Sequence, residues 1–234
     1  MVRVLAVVAH PDDEVIGPGG TLARHARAGD DVAVLILAEG STSRAAPEGH
    51  GGDPTAAIGA SRQETAASAA ALGLSRWHRL DLADNRLDRY PLLELAQQVA
   101  ELVAEHDPQV VYTHHPGDLN LDHERTARAC VIACRPQVSG VRWLFTFPTL
   151  SATEAGFAAR PPFVPAVFVD ITDTLPAKLA AMACYASELR EPPHPRSLAT
   201  LRAHAELTGA TVGHPAAEAF GVVRGTWVPG RAVD

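Results

Sequence analysis

The sequence predicts an α/β protein, a Rossmann-like three-layer α/β/α sandwich around a mostly parallel sheet. Three observations carry this. Short aliphatic runs alternate with segments of helical apolar spacing; the runs are apolar almost throughout, as strands covered on both faces must be; and two of them end in dense polar clusters. Because about 98% of parallel crossovers are right-handed, a doubly wound layout is the economical topology.

The first run, residues 2–9, reads VRVLAVVA and is bounded by polar residues, so it predicts a buried strand. Comparable runs at 31–38, 77–82, 109–113, 142–147 and 166–171 predict five more. Between them, residues 21–28, 61–72, 92–105 and 124–133 space their apolar positions three and four apart. They are rich in Ala, Leu, Arg and Glu and predict amphipathic helices. Pro161, Pro162 and Pro165 then break regularity, and two further helices are expected at 175–189 and 197–208, separated by the turn Glu191-Pro-Pro-His-Pro. Residues 1–150 read as one Rossmann-like unit and 151–234 as the part completing a single domain, 1–234. The Gly- and Pro-rich loop 40–55 is long enough to form part of a substrate lid.

With 20 Lys+Arg against 27 Asp+Glu the formal charge is −7, and no basic run interrupts the acidic balance. That excludes an electrostatic grip on nucleic acid or an anionic membrane and favours small, neutral or weakly charged partners. The aliphatic stretch Val4 to Ala9 falls far short of the roughly 20 apolar residues of a membrane span, and no export signal is read. Three cysteines without a CxxC pair make neither a disulfide framework nor a zinc ribbon, so a reducing cytoplasm is expected. Cys130 and Cys134, four apart on one predicted helix, read as small buried apolar residues. Asp170 and Asp173 read as a capping turn before Leu175.

Chemistry concentrates in two places. His10-Pro11-Asp12-Asp13-Glu14 follows the first strand, at the carboxyl edge where open α/β sheets bind ligands. One acid would suffice to cap the helix expected to begin near Gly19; three carboxylates and an imidazole exceed that need. His114-His115-Pro116-Gly117-Asp118-Leu119-Asn120-Leu121-Asp122-His123 begins where the fourth strand ends. In a 3-2-1-4 strand order the first and fourth strands are neighbours at the topological switch point, so the clusters converge across more than a hundred residues. A catalytic metal takes about three protein ligands and leaves a place for water; nitrogen with carboxylate oxygen suits zinc, with iron or manganese as alternatives. His10, Asp13 and His123 supply that set, Asp12 is free to act as base, and Asp122 is placed to orient the neighbouring imidazole.

These residues resemble the PIG-L/LmbE-like family of zinc-dependent de-N-acetylases, whose members act on N-acetylglucosaminyl lipids and on glucosaminyl precursors of low-molecular-weight thiols. The resemblance runs through AHPDDE, the following GGTLA, Arg62 and Glu64 of an RxxE, LDLADNRLD, HHPGDLNLDH and AEAFGVVR near the end. The HPDDE element paired with a later DH is its specific part. It implies one zinc per chain on His10, Asp13 and His123, Asp12 as general base, and hydrolysis of an N-acetyl amino sugar. Many relatives read HxDH in the second cluster, and their first histidine helps to hold the tetrahedral intermediate; here that position is Asn120, which donates a hydrogen bond but no proton. His115 or His194 could replace it, or Asp12 could serve as base and then acid. Arg62, Asn85, His115, His194 and Arg196 are the candidate substrate contacts, and four of them have a structural alternative: an ion pair for Arg62, local turn bonding for Asn85, a Pro-rich turn for His194 and Arg196. Relatives often assemble from several copies, and the apolar, Pro-rich stretch 157–169 is either an interface or a buried strand.

Other readings compete with the deacetylase. One is an amidase acting on a thiol or sugar conjugate. Another is a nucleotide-binding module using Gly17-Pro18-Gly19-Gly20, which lacks GxGxxG and a P-loop lysine. The last is a metal-binding protein without turnover.

Overall fold

The computed structural model describes residues 1–42 and 54–226. Its strands are β1 (Arg3–Val8), β2 (Asp31–Ala38), β3 (Arg76–Leu82), β4 (Val110–His114), β5 (Trp143–Phe147), β6 (Val167–Asp170) and β7 (Ala217–Gly225). The helices are α1 (Asp13–Ile16), α2 (Gly19–Arg27), α3 (Pro54–Leu72), α4 (Leu92–His106), α5 (Leu121–Ala133), α6 (Leu175–Cys184) and α7 (Leu198–Ala210). They build one seven-stranded sheet of order β3-β2-β1-β4-β5-β7-β6. β1 to β5 pair with one another in parallel; β7 runs antiparallel to both β5 and β6.

The period of two along β1 divides the core. Val4, Ala6 and Val8 face one side with Leu22 of α2, Leu72 of α3, Leu179 and Met182 of α6 and Leu201 of α7. Leu5 and Val7 face the other with Leu95 and Val99 of α4 and Cys130 of α5. A strand sandwiched this way has no solvated face, which is why its sequence is a continuous aliphatic run. Cys130 and Cys134 are buried, as read from the sequence.

Several boundaries differ from the sequence expectation. The sequence marks β7 only as a motif, because Glu218, Gly221 and two alanines dilute the strand character of Phe220, Val222 and Val223; slotting between β5 and β6 makes it a strand. The helix expected over 175–189 stops at Cys184, where Tyr185 turns inward and becomes fully buried. α3 begins at Pro54, well before residue 61, and of the loop 40–55 residues 43–53 lie outside the described ones. In the stretch 157–169, Val167 to Val169 belong to β6, a half-buried edge strand, while Phe157 is exposed.

Two buried devices place the first cluster. Lys178 of α6 donates to the carbonyls of Ile16 (2.8 Å) and Gly17 (3.0 Å) and to Glu218 Oε1 of β7 (2.5 Å), fastening the end of α1. Glu218 in turn accepts from Gly20 N, Thr21 N and Thr21 Oγ1 at the amino end of α2. A Cβ on Gly20 would lie 2.8 Å from Ile171, and one on Gly17 2.2 Å from Phe147. The Gly17-Pro18-Gly19-Gly20 loop is therefore filled by side chains, with Gly17 N committed to the carbonyl of Asp13 and Gly20 N to Glu218, so it has no room to cradle a phosphate.

Candidate metal centre

β1 and β4 are adjacent, in register from Val4 against Val110 to Val7 against Thr113, so the polar clusters that follow them meet at one edge of the sheet. His10 Nδ1, Asp13 Oδ2 and His123 Nε2 form a nearly equilateral triangle, with separations of 3.4 Å, 3.3 Å and 3.3 Å. Tetrahedral bonds of about 2.0–2.1 Å to nitrogen and oxygen require ligand atoms about 3.3–3.4 Å apart, so the donors suit a small borderline cation such as zinc. The second oxygen of Asp13 and both oxygens of Asp12 are buried without a hydrogen-bond partner. Buried acceptors that lack hydrogen bonds are costly unless a cation joins them; Asp12 Oδ2 has the guanidinium of Arg196 at 3.4 Å, whereas Asp13 lies among imidazoles.

Each imidazole is braced from behind. His10 Nε2 lies 3.1 Å from Asp122 Oδ2 and 3.2 Å from Asp84 Oδ1. His123 Nδ1 lies 3.2 Å from Asp118 Oδ2, and that oxygen accepts from Thr153 Oγ1 at 2.6 Å. Such carboxylate–histidine pairs fix the ring and raise its basicity toward a metal. Asp122, expected to orient its sequence neighbour His123, reaches across to His10 instead, because adjacent residues on a helix point to different sides. His114 is stacked on His123 with ring centroids 4.0 Å apart. Its Nε2 accepts from Ala9 N at 2.9 Å, so the proton sits on Nδ1, facing Thr149 Oγ1 at 3.0 Å. Burial depresses its pKa to about 4 and keeps the ring neutral.

Burial opposes a charge on His10, but the bonds to Asp122 and Asp13 outweigh it and push the pKa up to about 10. On His123 burial is likewise outweighed by Asp13 and Asp118, and its pKa rises to about 9. Asp13, although buried, is held well below the usual carboxylate range by the charge on His123 and by its hydrogen bond with His10. Burial pushes the Asp12 carboxyl up to about 8, with Arg196 acting in the opposite direction.

The remaining sequence candidates fall at graded distances. Arg196 reaches the centre: its Nη1 is 3.4 Å from Asp12 Oδ2 and 2.8 Å from Glu188 Oε2, and its Nε donates to Ser151 Oγ at 3.2 Å. Asn120 does not reach it. Its Oδ1 accepts from Asp122 N at 2.8 Å as the N-cap of α5, and its Nδ2 faces Asn85 Oδ1 at 3.3 Å. Asn85, exposed at a left-handed turn, donates to Asp84 and so stands on the rim. Arg62 pairs with Asp81, not with Glu64, which is taken by Ser187. His115 is turned to the carbonyl of Pro161 at 2.9 Å, and exposed His194 accepts from Arg196 N at 3.0 Å. A cavity of about 370 Å³ beside Pro11 is walled by Gly40, Ser41, Glu64, Tyr185 and Glu188.

Sequence reasoning missed Asp84, Asp118, Glu188 and the buried role of His114. Asp84 and Asp118 carried a signal, since each follows a strand end as the two metal-donor clusters do; Glu188 in a turn carried none.

A profile of the family described as GlcNAc-PI de-N-acetylase, PIG-L, matches residues 5–134, more than half of the chain. The chain belongs to the PIG-L family. The matched PIG-L segment runs from β1 through α5 and contains all three donors of the triangle. Among curated proteins, a 1D-myo-inositol 2-acetamido-2-deoxy-alpha-D-glucopyranoside deacetylase of Kineococcus radiotolerans is 35% identical over 164 residues, covering 56% of this chain and 45% of that protein. The matched stretch thus spans less than half of that relative's length. A diacetylchitobiose deacetylase of Thermococcus kodakarensis is 28% identical over 239 residues, covering 97% and 85%. Among solved structures, the 4-carboxy-2-hydroxymuconate hydratase GalB of Pseudomonas putida KT2440 superimposes with a TM-score of 0.77 at 21% identity, over 99% of this chain and 100% of that one. That likeness shows the PIG-L fold alone.

Proposed function

We propose that this chain is a zinc-dependent hydrolase that removes an N-acetyl group from an amino sugar or its glycoside. The observation that carries the reading is the triangle of His10, Asp13 and His123, with the buried carboxyl of the adjacent Asp12 accepting no hydrogen bond. When bound there, zinc supplies a Lewis acid for the amide carbonyl and lowers the pKa of water towards about 7. Asp12 accepts the proton of the attacking water. The same carboxyl then returns that proton to the amine nitrogen as the C–N bond breaks, so that carboxylate and free amine leave. One group in both roles removes the need for the acid that Asn120 cannot provide. Arg196 holds positive charge beside Asp12 through its own pairing with Glu188.

The named activities of the Kineococcus and Thermococcus relatives support an N-acetyl sugar as substrate. No helix among the described residues is long and apolar enough to cross a membrane. The same fold in a hydratase means that the reaction must be tested directly. Protein stripped with a chelator and reloaded with zinc, iron or manganese is incubated with diacetylchitobiose and a panel of N-acetylglucosamine glycosides, and free amine is assayed. Amine release that disappears on stripping and returns with metal is expected. Metal-loaded protein that releases no amine from any of them contradicts the reading.

A further inference from the structure

Asp12 stands in the left-handed region, at φ 96° and ψ −26°, a conformation that a non-glycine residue adopts at a cost of about 1–2 kcal/mol. Its backbone carbonyl accepts from Val15 N and Ile16 N, at 2.9 Å and 2.8 Å, while its N–H donates to Glu14 Oε2 at 3.1 Å. Glu14 itself is buried, and its other oxygen accepts from Tyr185 Oη at 2.6 Å and from Ser68 Oγ at 3.4 Å. The hydroxyl of Tyr185 comes from the residue closing α6, and that of Ser68 from α3. Two helices distant in sequence thus converge on one carboxylate, and that carboxylate holds the strained peptide of Asp12. Strain of this kind persists only where its surroundings over-determine it.

Resting on the hydrolase reading above, we infer that Glu14, anchored by Tyr185, is a positioning residue that locks the backbone of Asp12 so that its carboxylate faces the centre while Asp13, one residue on, faces it as a ligand. The arrangement divides three consecutive acids by task. Two successive side chains cannot address one point from an ordinary extended or helical backbone, because they diverge by about 100° on a helix and about 180° on a strand. A left-handed residue breaks that regular divergence, and the hydrogen bond from its N–H to Glu14 offsets the cost of the conformation. Both Glu14 oxygens act as acceptors, so an amide at this position must either turn its NH₂ group toward the N–H of Asp12 or give up the hydroxyl of Tyr185 as donor.

The test joins kinetics to structure. Glu14→Gln and Tyr185→Phe are compared with wild type on diacetylchitobiose, each also combined with Asp12→Asn. We expect kcat to fall about tenfold in each single variant, a part of the 10²- to 10⁴-fold range of general-base catalysis, with KM and zinc content unchanged. In the Asp12→Asn background either substitution should have no further effect on kcat, since a residue acting only through Asp12 has nothing left to position. A further tenfold loss in that background, or loss of zinc from the single variants, overturns the inference in favour of a general structural role. A second arm needs no turnover: the crystal structure of zinc-loaded Glu14→Ala should show Asp12 outside the left-handed region, and an unchanged φ near 96° overturns the inference. Wild-type protein without amine release would count against the hydrolase reading alone, because the structural arm still decides the role of Glu14.

Discussion

Lys178→Met removes a cation that holds three buried acceptors. The ammonium is almost wholly enclosed and binds the carbonyls of Ile16 and Gly17 and the carboxylate of Glu218. Breaking a buried pair by removing one partner costs about 3–5 kcal/mol, because the other charge stays buried. Glu218 retains three donors at the start of α2, at 2.8, 2.7 and 2.6 Å, which places the expected loss near the lower end, about 3 kcal/mol. For a chain of this size that corresponds to a fall of roughly 6–12 °C in Tm. Thermal unfolding followed by circular dichroism, with both proteins at the same free metal concentration, measures it. The double variant Lys178→Met/Glu218→Gln should recover part of the loss, since it leaves no unpaired charge. A change in Tm under about 2 °C in the single variant refutes the reasoning, for it would mean that the pair contributes no more than an exposed ion pair does, about 0–1 kcal/mol.

Three further outcomes are expected. Asp12→Asn should keep one equivalent of zinc and a normal unfolding curve while kcat falls by about 10² or more; near-normal turnover would require another base. Asn120→Ala should cost about 1 kcal/mol in unfolding free energy from loss of the α5 cap and alter kcat by less than a few-fold, whereas a loss as deep as that of Asp12→Asn would return Asn120 to the chemistry. Metal affinity should rise with pH. His10 and His123, with pKa values pushed up to about 10 and about 9, carry protons at neutral pH that an ion must displace. Loading therefore releases protons, affinity falls as pH drops below those values, and it increases by about tenfold per pH unit for each proton released. Zinc binding by competition with a chromophoric chelator at pH 6, 7 and 8 measures this, and a pH-independent constant contradicts the raised values.

Much of the sheet and the place of the centre are legible in the chain because both depend on short-range patterns. The aliphatic run before His10 and the one ending at His114 identify two strands, and the strand-order rule for doubly wound sheets brings their polar clusters together before any contact is known. What the pattern does not contain is side-chain reach. Asp122 and His123 are neighbours in sequence, yet helical geometry sends Asp122 to His10 and leaves His123 to Asp118. Asn120 looks like a substituted catalytic position until its side chain is seen capping the helix that carries His123. β7 is illegible for another reason: its strand formers are diluted by Glu218, Gly221 and two alanines, and the two strands that flank it come from 143–147 and 167–170. Lys178 and Glu218 form a pair across 40 residues that no local periodicity marks.

One ion held by His10, Asp13 and His123 is central to the proposed chemistry. Elemental analysis of purified wild type and His123→Ala, side by side, tests it most directly. One equivalent of metal per chain in the wild type and none in the variant is the predicted result; a full equivalent retained by His123→Ala would contradict the ligand set, and with it the proposed chemistry.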